Sequence, residues 1–294
     1  MLPRHLLLAV LLTASVAASD DYAKANETWR AERVARLTRP TGWLSLIGLH
    51  WLNPGENSVG TATDNSIKLA AGVPYLGTVT LTTGKVTFAP APGAIVQVDG
   101  QPAGSAPAEL KPDSTGAPTT VTSGSLSFYV IVRGEKTGLR VKDTGSPRRK
   151  NFAGLDYFAV DPAWRIEAQW VPFDHPRSVD ITNIIGQVSP ASVTGKAVFT
   201  RDGHAYELLP IDEGPGEPLF FVISDKTSGD ETYGACRFVY ADPPKDGKVI
   251  LDFNRAENPP CAFSPFATCP LPPKENRLPV PVRAGEKNYR GHHD

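Results

Sequence analysis

Residues 164–170, Trp164-Arg-Ile-Glu-Ala-Gln-Trp170, place apolar and polar side chains in strict alternation. Side chains of a strand point to opposite faces in turn, so this pattern predicts a strand with one face buried. The same rhythm returns downstream in Lys196-Ala-Val-Phe-Thr200 and His204-Ala-Tyr-Glu-Leu208. Leu219-Phe-Phe-Val-Ile223, Tyr233 to Tyr240 and Lys248-Val-Ile-Leu-Asp-Phe253 add further strands. Upstream, between about 55 and 143, short strands such as Lys85–Phe88, Leu126–Val132 and Leu139–Val141 are separated by Thr83-Gly84, Asp99-Gly100 and Ser123-Gly124. Short strands at regular spacing with such turns predict a β-sandwich or barrel. The apolar run Gly42 to Leu52 reads as a buried strand or a hairpin.

One helix interrupts this pattern. In residues 20–39, Tyr22, Ala25, Trp29, Val34 and Leu37 recur at spacings near three and four, and Pro40 with Gly42 ends the run. Ahead of it, Met1-Leu-Pro-Arg-His leads into Leu6-Leu-Leu-Ala-Val-Leu-Leu12 and then into small residues up to Ser19. A basic start, a short apolar run and small residues are the three parts of a secretory leader, expected here as residues 1–18. The apolar run is shorter than the roughly 20 residues a spanning helix needs. The expectation is an exported chain, periplasmic or secreted, without stable membrane insertion.

The expected organisation is therefore mainly β. After the leader, residues 19–143 hold the helix and the sandwich. The charged, proline-bearing Asp143 to Lys150 patch marks a boundary, and 150–287 form a second antiparallel β domain. Its end, 259–281, carries eight prolines in 23 residues together with Phe263, Phe266, Leu271 and Leu278. Such a stretch is too rich in large apolar groups for a disordered linker, so it reads as an ordered arm. Residues 288–294, with His292 and His293, read as a frayed tail.

Composition narrows the function classes. The 294 residues carry 30 basic and 31 acidic side chains, a net charge of −1, with no basic footprint for nucleic acid. Hydrophobic content of 40% with 21% charge is that of a globular chain. With 28 prolines and 26 glycines, turns abound and long helices are few. No Gly-x-Ser-x-Gly elbow, His-Glu-x-x-His helix, Walker loop or dinucleotide glycine motif occurs. No metal site and no cofactor are expected. His50 and His204 read as packed or surface residues, and Asp174 stands beside His175 in a turn-like segment.

Of the three cysteines, Cys236 alternates within a strand and reads as a small buried hydrophobe. Cys261 and Cys269 flank a short loop in the arm, and in an oxidising compartment a disulfide between them is the first expectation. A two-cysteine metal site and a reactive thiol at Cys261 rank behind it.

Leu251-Asp-Phe-Asn-Arg-Ala-Glu-Asn-Pro-Pro-Cys-Ala-Phe263, Cys269-Pro-Leu-Pro-Pro-Lys-Glu-Asn-Arg-Leu278 and Ala284-Gly-Glu286 resemble the domain-of-unknown-function family 1684. Gly42-Trp-Leu-Ser-Leu, Arg140-Val-Lys-Asp143, and Asp225-Lys-Thr227 with Thr232-Tyr233 are similar to it too, extending the resemblance over about 22–287. It implies no reaction. Glu257 stands where the family more often has an aromatic residue. Separately, Gly55-Glu-Asn-Ser-Val-Gly60, Val96-Gln-Val-Asp-Gly100 and Gly124-Ser-Leu-Ser-Phe128 resemble the strand rhythm of forkhead-associated sandwiches. Those modules bind phosphothreonine through an Arg after the Gly and a later Ser-x-x-His. Here Thr61 follows Gly60 and no Ser-x-x-His appears.

The polar residues expected to share a site lie in the second half. Asp252, Glu286 and Asp225 are the candidate catalytic carboxylates, able in principle to act as acid and base. Arg237, Asn254, Asn258, Thr227 and Tyr233 are the candidate ligand-binding groups. A C-terminal cleft for a small polar, sugar-like ligand, with or without hydrolysis, is the leading expectation. Against it stand a purely structural role, with Asp and Asn as turn formers, and an envelope adaptor that binds a protein partner through the sandwich.

Overall fold

The computed structural model describes residues 5–214 and 216–291, with side chains from residue 20 onward. The expected leader lies outside the described side chains, and His292 with His293 lies outside the described residues. The chain is mainly β, with one long N-terminal helix, α1 (His5–Thr38), and antiparallel sheets. Among the described residues no helix is long and apolar enough to cross a membrane.

Two compact units form. One comprises Leu37–Ala153 with the short arm segment Phe263–Thr268; the other comprises residues up to Arg36, Gly154–Ala262 and Cys269–Arg290. The helix therefore folds with the second half of the chain, not with the sandwich that follows it in sequence. The proline-rich arm is shared out between both units.

The first unit is a sandwich of a six-stranded and a five-stranded sheet. The alternation read from the sequence works as expected: Leu126, Phe128 and Val130 of one sheet face Val79, Val86 and Phe88 of the other in one core. Phe88 and Phe128 meet edge to face at 5.6 Å between centroids. Gly42 to Leu52 resolves into a 3-10 turn (Trp43–Ser45) and a strand (Leu46–Trp51).

In the second unit a four-stranded sheet holds the strands His204–Leu208, Val188–Arg201, Arg165–Thr182 and Lys248–Asp252 in that order. Leu219–Ile223 pairs separately with Arg237–Ala241. Phe199, Phe221, Val239, Leu251 and Phe253 share its core with Leu278, Val282 and Ala284 of the arm. The strand predicted from Trp164–Trp170 runs on well beyond its sequence signal, through Pro172 and Pro176 to Thr182. Proline cannot donate to a ladder, and the pairing with Val188–Arg201 shifts register between Pro172 and Arg177.

Apart from two short 3-10 turns, Pro260–Ala262 and Lys274–Asn276, the arm is fixed by side chains. Asn276, fully buried, accepts from the Leu209 amide at 2.8 Å and donates to the carbonyls of Leu209 and Val222 at 2.8 and 2.9 Å. One amide side chain thus satisfies backbone groups of Leu209, just past one strand, and of Val222 within another.

Candidate functional site

The strand Leu219–Ile223 ends at Ser224, and Asp225 turns the chain. Its Oδ1 accepts from the Thr227 amide at 2.8 Å, the Thr227 hydroxyl at 2.7 Å and the Val282 amide at 3.0 Å. Its Oδ2 accepts from Arg237 Nη2 at 2.7 Å. Arg237 donates onward to the carbonyls of Ala284 at 2.5 Å and Val282 at 2.8 Å. Burial pulls the guanidinium below its ordinary pKa, and Asp225 opposes that pull. Asp225, Thr227 and Arg237 are thus brought together, as the sequence suggested. They are nonetheless sealed: both side chains of the ion pair are 1% exposed or less. The group clamps the arm to the sheet.

Glu286 follows Gly285, whose φ of 80° and close packing admit no side chain; a Cβ there would lie 2.5 Å from the Ala256 carbonyl. That turn sends the Glu286 carboxylate inward. It accepts from Arg33 Nε at 2.8 Å and from the Asn258 amide at 2.7 Å. Arg33 also donates to the Asn258 carbonyl at 2.7 Å and lies 3.3 Å from Glu257. Asn258 donates from its side chain to the Lys287 carbonyl at 2.7 Å. Glu286 is wholly inaccessible.

These contacts explain how α1 docks. Its buried or half-buried positions are Tyr22, Asn26, Trp29, Arg30, Arg33, Val34, Arg36, Leu37 and Thr38, a stripe at helical spacing that mixes polar and apolar groups. Arg30 lies 4.3 Å above the Tyr157 ring and donates to the Phe158 carbonyl at 2.9 Å. Trp29 meets Tyr157 edge-on. Of the expected apolar stripe, Leu37 is buried and Tyr22, Trp29 and Val34 are half-buried; Ala25 alone is corrected, being exposed.

At the start of the stripe, Tyr22 donates its hydroxyl to Asp252 Oδ1 at 2.7 Å and accepts from Asn254 Nδ2 at 3.0 Å. Asp252 also caps the 3-10 turn Phe253–Arg255, accepting from the Asn254 amide at 3.1 Å. Asn254 is held on both sides of its amide by the Asp161 backbone. Burial, reinforced by the bond to Asp252, pushes the Tyr22 phenol up to about 12.

Beside this contact opens a cleft of about 1420 Å³. Tyr22, Ala25, Trp29 and Arg36 of α1 form one wall, and Tyr240 to Lys245 with Pro218 form another. Lys248, Ile250 and Asp252, alternate residues of one strand, line it together with Arg165. Of the eight catalytic and ligand-binding candidates, Asp252 alone lines it. Arg255 and Glu257 line it as well; burial raises the Glu257 pKa, while Arg33 and Arg36 oppose that rise. The sequence reading missed Tyr22, Arg36, Arg165, Lys245 and Glu257. Only Tyr22 and Arg36 lie on the helix; Arg165, Lys245 and Glu257 come from other segments, and no shared sequence pattern marks the set.

Tyr233 donates to the Cys261 carbonyl at 3.2 Å, away from Asp225. The expected disulfide is not formed: Cys236, Cys261 and Cys269 are buried free thiols. Cys261 lies in the 3-10 turn Pro260–Ala262, and its amide donates to Cys269 Sγ at 3.2 Å, so that sulfur serves as a turn acceptor. The contact with Cys261, with burial behind it, pushes the Cys269 thiol up. Among the described residues no group of three or more His, Cys, Asp or Glu is placed to hold a metal ion.

Residues 150–287 match the family described as protein of unknown function (DUF1684). The match covers the second half of the chain, not nearly its whole length as the sequence resemblance implied. An uncharacterized protein of Haloarcula marismortui, solved by solution NMR, is 33% identical, covering 49% of this chain and 81% of its own, with a TM-score of 0.41. Neither match is to a forkhead-associated module. No curated protein matches the chain.

Proposed function

We propose that this chain is an exported protein that binds a small polar ligand in the cleft beneath α1. The observation carrying this reading is the cleft itself, large enough for a small organic ligand and lined by convergent polar groups around Asp252. Export rests on the leader-like start of the sequence. Binding is favoured over hydrolysis by the placement of the carboxylates. Glu286 is sealed against Arg33 and the Asn258 amide, and Asp225 is saturated by four donors. Neither can exchange a proton with a ligand in the cleft, and of the carboxylates that line it Asp252 and Glu257 are each held in ion pairs, with Arg255 and with Arg33 and Arg36. An adaptor role for the sandwich has less support: Tyr75 and Ile95 are exposed, but single apolar residues are ordinary on a surface.

Ala25 supplies the test, because it lines the cleft from an exposed helix position and makes no side-chain hydrogen bond. Ala25→Trp should obstruct the α1 wall of the cleft and abolish binding of small polar probes such as 4-nitrophenyl phosphate or 4-nitrophenyl glucoside, read by calorimetric titration, without lowering the melting temperature. Binding that survives this substitution places the ligand elsewhere.

A further inference from the structure

We propose that the ligand of this cleft is an anion, a phosphate- or carboxylate-bearing small molecule with a flat ring, and that Arg165 and Lys245 are its counter-charges. This rests on the cleft being the ligand site.

Glu257 is held by Arg33 and Arg36, at 3.3 and 3.2 Å. Asp252 is occupied by Tyr22, by the Asn254 amide and by Arg255 at 3.5 Å. Lys248 is paired outside the cleft, with Glu167 at 2.5 Å. Among the described residues this leaves Arg165 and Lys245 without a carboxylate partner, against Asp242 alone. Arg165 stands opposite Asp252 in the antiparallel register, the natural place for a cross-strand ion pair, yet makes none. Its guanidinium lies instead over the Tyr22 ring at 5.9 Å. A planar fork of donors on an aromatic face suits bidentate capture of a carboxylate or phosphate. The ring preference follows from Trp29 and Tyr240 in the lining, the latter stacked on Phe220 at 5.1 Å and thereby rigid. A neutral sugar could stack there too, but it would leave both cations unmatched.

Calorimetric titration of the full chain with 4-nitrophenyl phosphate, 4-nitrobenzoate and the neutral 4-nitrophenyl glucoside tests the assignment. At least one anionic probe should bind about tenfold more tightly than the glucoside, and more weakly as ionic strength rises. Arg165→Gln and Lys245→Gln should each weaken the anion about tenfold and leave the glucoside unchanged. Both positions are exposed, so an unchanged melting temperature verifies the fold. A glucoside bound as tightly as the anions, or anion binding unaltered in both variants, overturns the charge assignment and leaves the cleft reading intact. No binding by any of the three contradicts both.

Discussion

The Tyr22 hydroxyl donates to the Asp252 carboxylate at 2.7 Å across 230 residues of chain. That bond joins α1 to the end of the strand Lys248–Asp252 and sets one corner of the cleft. The polar motif of the second half accordingly does two jobs. Most of it fixes the helix and the arm, and its outer edge faces solvent beside them.

The first prediction concerns stability. Asp225→Ala leaves the Arg237 guanidinium buried without its counter-charge, which should cost about 3–5 kcal/mol. Glu286→Ala should cost less, because Glu257 remains 3.3 Å from Arg33. Denaturant unfolding checks both; losses under about 1 kcal/mol, the scale of an exposed pair, would show that these are not buried clamps.

How far the sequence reveals this arrangement depends on the residue. Strand alternation exposes both cores, because one buried face imposes a period of two. The grouping of Asp225, Thr227 and Arg237 was legible from their strand-end positions. Their enclosure was not, since it depends on Val282 and Ala284 returning from some 50 residues downstream. Arg33 carried no sequence signal of its own, because its burial depends on Glu257 and Glu286 from the far end of the chain. Pro172 and Pro176 hid the far half of the Arg165–Thr182 strand. Cys261 and Cys269 were near neighbours, as their spacing implied, but in a turn rather than a bridge.

Alkaline pH should weaken the Tyr22 contact. The phenol titrates near 10 when free and is pushed to about 12 in the fold. Its stabilising share is therefore complete below pH 10 and is lost as pH rises through about 12. Between those values the unfolded chain releases a proton that the folded chain keeps, so unfolding becomes more favourable. Melting temperatures measured across this window should fall, and less steeply in Tyr22→Phe. An identical slope in the variant would contradict the assignment.

The thiols offer a chemical check. Three free cysteines should react with a thiol reagent in denaturant, and all three should resist it in the native state, where they are buried. Recovery of a Cys261–Cys269 linked peptide under non-reducing conditions would refute the free-thiol arrangement.

Export predicts a mature chain beginning near Ala18 or Ser19. Intact mass of the protein from its native source should show the leader removed; a chain that keeps Met1 through Ala17 would contradict it.

The most direct test of the account is amide chemical-shift mapping of the full chain with 4-nitrophenyl phosphate and 4-nitrophenyl glucoside. The account predicts shifts concentrated at 22–36, 162–165 and 240–257, around the cleft, whichever probe binds. Shifts centred instead on Asp225 to Arg237, or on the sandwich, would contradict it.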